Sequence, residues 1–141
     1  MRLWKLYRQA VNPLKVTRVA VRYINKIDIP VPTIDYKDYF LTTPEVSPGL
    51  PQMLSGFFMQ LQFPQEDFGG LLILNETALS SNQPDTNSVV LDLDVFKAGL
   101  ELTSDEDIWV LLNTLRNRKN QFFEGCITDK TRALFGKRRE Y

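Results

Sequence analysis

The 141-residue chain carries 17 lysines and arginines against 17 aspartates and glutamates, no histidine and one cysteine. Balanced charge argues against a surface built over its whole extent to hold phosphate. The missing histidine removes the commonest general base and the commonest metal ligand, and Cys126, alone, forms no internal disulfide, which fits a reducing, cytoplasmic setting.

The length suits a single domain, 1–141, around one core. The first ten residues lack the apolar centre and cleavage site of a signal peptide. No apolar run approaches the roughly 18 residues that a membrane-spanning helix needs.

In residues 1–13, Leu3, Leu6, Tyr7 and Ala10, continued by Leu14, recur at spacings of three and four, which predicts a short amphipathic helix ended by Asn12-Pro13. Trp4 lies off this stripe and is a candidate anchor for a contact. Residues 17–29 change period. Val19, Val21, Tyr23, Ile27 and Ile29 share one parity and Arg18, Arg22, Lys26 and Asp28 the other, the pattern of a half-buried strand. Asn25 interrupts the apolar parity, and a buried amide needs partners. The expectation is that it bonds to backbone beyond Pro30 and fixes the exit of the strand; a polar contact in a pocket is the other reading.

Five of the eight prolines then fall between Pro30 and Pro51. Each removes an N–H donor, so residues 30–53 read as an ordered connection rather than a strand. Within it, Asp35 to Leu41 predicts a turn or two of helix with Tyr36, Tyr39 and Phe40 toward the body. Three strands are expected across 54–96. The first, 56–63, points Phe57, Met59, Leu61 and Phe63 one way. The second is the apolar run Leu71–Asn75, expected to be buried on both faces. The third alternates through Val89, Leu91, Leu93 and Val95. Thr103 with Glu106 forms a capping box opening a helix over 103–135, and Asp105, Glu106 and Asp107 suit its positive end. Ile108, Leu111, Leu112, Leu115, Phe122, Phe123 and Cys126 supply its apolar stripe. Thr128-Asp129 is set to cap a last segment ending at Gly136.

The predicted fold is therefore α+β: a two-layer sandwich of a mainly antiparallel sheet of about four strands packed on a long C-terminal helix, with a short N-terminal helix.

Candidate chemistry is sparse. Arg18 and Arg22 share a face of one strand, Asp92 and Asp94 a face of another. If these strands are neighbours the charges pair across the sheet; two carboxylates on one strand also suit a divalent cation, but no further acids cluster nearby. The candidate polar site is Arg18, Arg22, Asn25, Asp92 and Asp94, with no catalytic, metal or cofactor-binding residue assigned. Cys126 sits in the helix stripe and lacks a histidine to activate it. Gly69-Gly70 precedes a strand, not a helix, and makes no phosphate loop. Arg116, Arg118, Lys119, Lys130, Arg132 and Lys137 to Arg139 make the C-terminal third basic, diluted by acids at 105–107, 124 and 129.

Three tracts carry a resemblance: Arg18-Val-Ala-Val-Arg-Tyr-Ile-Asn-Lys-Ile-Asp-Ile-Pro30, then Asp38-Tyr-Phe…Pro44…Pro48-Gly-Leu-Pro51, and Phe122-Phe-Glu…Ile127-Thr-Asp129, with Val90-Leu-Asp-Leu-Asp-Val-Phe96 between the last two. In that order they resemble a sporadically distributed set of uncharacterised prokaryotic proteins. The resemblance implies no activity and no catalytic residues. It implies that the chain corresponds to the C-terminal half of longer members, so that a sheet edge or apolar patch covered there is left for another chain.

The expected function is that of a small cytoplasmic interaction module without catalysis, forming a homodimer or binding a separately encoded protein, with no cofactor. The alternatives are a ligand-binding or enzymatic domain with a pocket between sheet and long helix, and a nucleic-acid binder using the basic end of that helix.

Overall fold

Two-residue alternation in four segments and a three-to-four repeat in one produce two layers, a sheet and a long helix. The structure, a computed structural model, describes residues 16–80 and 83–136. The expected N-terminal helix with Trp4 lies outside the described residues, as do Lys137 to Tyr141. In chain order the elements are β1 (Val16–Ile29), α1 (Tyr36–Tyr39), β2 (Phe57–Gln65), β3 (Gly70–Ser80), β4 (Asn87–Leu102), α2 (Asp105–Cys126) and α3 (Asp129–Gly136). The strands form one antiparallel sheet in the order β1-β4-β3-β2. This is the expected α+β sandwich, with β2, β3 and β4 joined as consecutive hairpins and β1 closing the far side of β4.

Register ties the parities together. Asn25, Leu91, Glu76 and Met59 lie in one row across the sheet, flanked by the row Tyr23, Leu93, Leu74, Leu61 and the row Ile27, Val89, Ala78, Phe57. The α2 helix lies over this face. Tyr23 stacks on Phe123 at 5.2 Å between ring centroids, and Phe63 meets Phe122 edge-on at 5.1 Å. Ile27, Leu72, Leu74, Leu91, Leu93 and Leu115 are buried between the layers, the burial that drives their packing.

Several boundaries differ from expectation. The β3 strand runs from Gly70 to Ser80, five residues past Asn75, and alternates: Leu72 and Leu74 are buried, Leu71 and Ile73 half-buried. Ser104, not Thr103, is the N-cap of α2; its hydroxyl accepts from the Asp107 N–H at 3.4 Å. Within the helical stretch read over 103–135, the last segment, set to be capped by Thr128-Asp129, is a separate helix, the chain breaking at Ile127 and Thr128. The Thr128 hydroxyl accepts from the Thr131 N–H at 3.4 Å and so caps α3. The break exists because the chain there pairs with the proline-rich connection: Phe40 and Ile127 form an isolated antiparallel bridge.

The exit of β1 is held by the Asn87 amide, which donates to the Val31 carbonyl at 2.8 Å. The expectation gave this task to Asn25, which sits half-buried opposite Leu91, four residues short of the exit.

The β2–β3 turn needs its glycine for space. A Cβ on Gly70 would lie 2.4 Å from the Phe96 carbonyl oxygen and 2.3 Å from the Phe68 ring. Gly70→Ala is expected to force β3 and β4 apart locally and cost about 1–3 kcal/mol, as overpacking does. Chemical denaturation checks it; an unchanged midpoint would show that the turn gives way freely.

Candidate functional site

The side chains that point away from α2 build the open face of the sheet. From β1 these are Arg18, Ala20, Arg22, Ile24, Lys26 and Asp28; register sets them beside Asp94, Asp92, Val90 and Ser88 of β4. Arg22 clamps Asp92 with both prongs of its guanidinium, Nε to Oδ1 at 3.0 Å and Nη2 to Oδ2 at 2.7 Å. The hydrogen bonds and charge of Asp92, with a smaller contribution from Asp94, hold Arg22 still more firmly protonated than a free arginine. Asp92 is buried by its neighbours. Ser88, also buried, donates to Asp28 at 2.6 Å. The polar band continues across the sheet through Asn75, which accepts from the Gln60 amide at 2.9 Å.

Apolar groups lie on both sides of this band. Phe58 is 67% exposed, Ile24 58% and Leu79 50%, with Val90 half-buried among them. On the other side Arg18 stacks over the Phe96 ring at 4.6 Å, near Leu71 and Ile73. Four of the five candidate polar residues therefore share one face, and Arg22, Asp92 and Asp94 are in electrostatic contact. Asn25 is on the other face, toward α2. The geometry corrects the idea that all five could line one pocket between sheet and long helix, since side chains of opposite parity on β1 cannot share a face.

The pairing engages Asp92 in an ion pair with Arg22, while Asp94 contributes only its charge. Among the described residues no group of three or more His, Cys, Asp or Glu is placed to hold a metal ion, and no helix is long and apolar enough to cross a membrane.

A groove lies elsewhere, in the proline-rich connection. It holds about 530 Å³ and is lined by Ile34, Asp35, Tyr36, Pro44, Met53 and Leu54 among others. Tyr36 packs edge-on against Phe57 at 5.0 Å, so the groove's floor is tied to β2.

One residue went unnoticed in the sequence. Glu76 of β3 faces α2, is fully buried, and neither carboxylate oxygen has a hydrogen-bond partner among the described residues. Burial pushes its carboxyl up to about 8. Cys126 is close enough to feel its charge; burial first and Glu76 second push that thiol up to about 11, against a hydrogen bond with Thr42. The signal was available: extending the parity of Leu72 and Leu74 by one step lands on Glu76. Ending the strand at Asn75 concealed it.

Compared with protein-family models, curated proteins and solved structures, the chain matches none. Fold and face together define a small α+β two-layer domain with one sheet face given to polar pairs and exposed apolar side chains.

Proposed function

We propose that this chain is a protein-interaction module that pairs with a second copy of itself through the open face of its sheet. The observation that carries this reading is the exposure of Ile24, Phe58 and Leu79 on the face that also carries the Arg22–Asp92 pair. Exposed apolar side chains grouped on a rigid surface mark contact sites. The face is favoured over the sheet edges because both edges are blunted: β2 carries Pro64, and β1 carries Arg18, Arg22 and Lys26. Counting half a strand spacing beyond each outer axis, four strands cover about 19 Å, and residues 20–28 run about 27 Å along them. Two such faces bury on the order of 1,000 Å², about the minimum for a specific interface. Lys26, Asp28 and Asp94 supply both signs of charge on one patch, as a self-complementary twofold contact requires.

Sedimentation velocity over a wide concentration range is expected to show a dimer. Phe58→Glu is expected to shift it to monomer while leaving the thermal midpoint within a few degrees, because Phe58 is not part of the core. A monomer at every concentration, or a dimer indifferent to Phe58→Glu, overturns the reading.

A ligand-binding reading has one observation behind it, the groove at Ile34, Tyr36 and Met53. The nucleic-acid reading has less. Arg118 is engaged by Asp67 and Gln65, Arg132 by Glu124 and Asp129, while Lys119 and Lys130 lie over the rings of Tyr23 and Tyr39. Cations so occupied offer little to a phosphate backbone.

A further inference from the structure

Glu76 stands in the middle row of the sheet face that meets α2, and among the described residues no donor meets its carboxylate. Its row neighbours are Leu91 and Met59, with Asn25 one strand further on. From α2 the buried Cys126 thiol is near enough to feel its charge, and that thiol is bonded to Thr42 of the connection. Titratable groups on this side among the described residues include the phenols Tyr23, Tyr36 and Tyr39 and, on the same parity of β4, Lys97. Lys119 and Lys130 are held on ring faces, 4.8 Å from the Tyr23 centroid and 5.0 Å from the Tyr39 centroid.

The segment 36–43, a lid beside this region, reaches it through Thr42, which is bonded to the Cys126 thiol, and buries Tyr36, Tyr39 and Phe40. Backbone and threonine hydrogen bonds fasten it to the junction of α2 and α3. The Leu41 N–H donates to the Cys126 carbonyl at 2.8 Å, and the Thr128 N–H donates to the Tyr39 carbonyl at 3.0 Å. The Thr131 hydroxyl donates to the same Tyr39 carbonyl at 2.6 Å, and the Thr128 hydroxyl to the Asp38 carbonyl at 2.7 Å. By contrast, β3, on which Glu76 sits, is paired along its whole length on both sides. Proline-bearing chain flanks the lid, with Pro30 and Pro32 before it and Pro44 and Pro48 after it.

We propose that the seating of residues 36–43 on the helix junction is proton-coupled: the segment lies closed over a neutral Glu76, and lifting it releases the Glu76 proton to solvent. The lid moves because it is held by side-chain packing and a few hydrogen bonds outside the sheet, whereas moving Glu76 itself means breaking the sheet. Closure holds the proton because a carboxylate with no donor in an apolar interior is far costlier than the neutral acid. Opening wets Glu76, which then ionises as an ordinary carboxylic acid.

Between the ordinary carboxyl range and about 8 the open form has lost a proton that the closed form keeps. Opening is therefore expected to rise about tenfold per pH unit from about pH 5.5 to 7.5 and to level off above about pH 8. Backbone amide exchange at Leu41 and Thr128, corrected for the intrinsic effect of pH, reads this directly. The expected result is that slope at both amides and a flat profile in Glu76→Gln. Glu76→Met, apolar and of similar length, serves if the glutamine variant does not fold. Three results would overturn the proposal: a flat profile in the wild type, the same slope in the variant, or exchange at Leu41 and Thr128 only together with Leu91 and Leu93 at the centre of the sheet. The last would make Glu76 a burden on the whole fold rather than on its lid.

Discussion

Glu76→Leu is expected to make the protein more stable, by on the order of 2–4 kcal/mol near pH 8. The wild-type carboxyl is buried with neither oxygen paired among the described residues and holds its proton up to about pH 8, against 4.5 for an ordinary glutamate. The sign follows from proton counts. Below about pH 4.5 folded and unfolded chains both carry the proton, and the group confers no pH dependence. Between there and about pH 8 the unfolded chain has released it and the folded chain has not, so stability falls as pH rises. Above that the loss is complete, at most on the order of 4–5 kcal/mol, and it is limited to the cost of lifting the lid if that is smaller. Leucine removes this slope and also the orphaned polar atoms, which weigh on the fold even when neutral. Denaturation midpoints at pH 5 and pH 8.5 for both proteins test this. A leucine variant no more stable than wild type at the higher pH, or one that keeps the wild-type slope, would refute it.

Phe40→Ala is expected to cost about 3–5 kcal/mol, as deletion of a buried aromatic ring does. Phe40 is 1% exposed although it lies in a connection, and its backbone bridges Ile127. The adjacent Leu41 is 65% exposed, so Leu41→Ala is expected to stay within about 0.5 kcal/mol. The pair makes a local control: same segment, adjacent positions, opposite burial. Equal effects would mean that the connection is not part of the core. The difference in expected cost comes from direction alone, because successive residues in extended chain point to opposite sides.

Much of the fold was legible. Two-residue alternation marked β1, β2 and β4, and the three-to-four stripe marked α2, because each pattern encodes which side of an element meets water. Tyr36, Tyr39 and Phe40 were read as facing the body from a proline-rich stretch, and all three are buried. Boundaries were less legible. Glu76 looks like the end of an apolar run, and a strand reading that stops at the first charge loses it. Thr103 and Ser104 both precede acidic residues and are both competent caps; which one serves depends on where β4 releases the chain.

For the site, the parity of Arg18, Arg22, Asp92 and Asp94 already implied shared faces, but not shared neighbours. Residue pattern by itself determined element types, the buried side of each, and the absence of histidine chemistry, since these depend only on local periodicity and composition. The tertiary structure alone decided that β4 lies between β1 and β3, that Arg22 meets Asp92, and that Asn25 faces away from both. It alone buried Glu76 and seated Phe40 against Ile127. Those facts depend on contacts between segments dozens of residues apart, such as Phe40 with Ile127. Such contacts are selected by the mutual burial of whole layers, and no window along the chain contains that information.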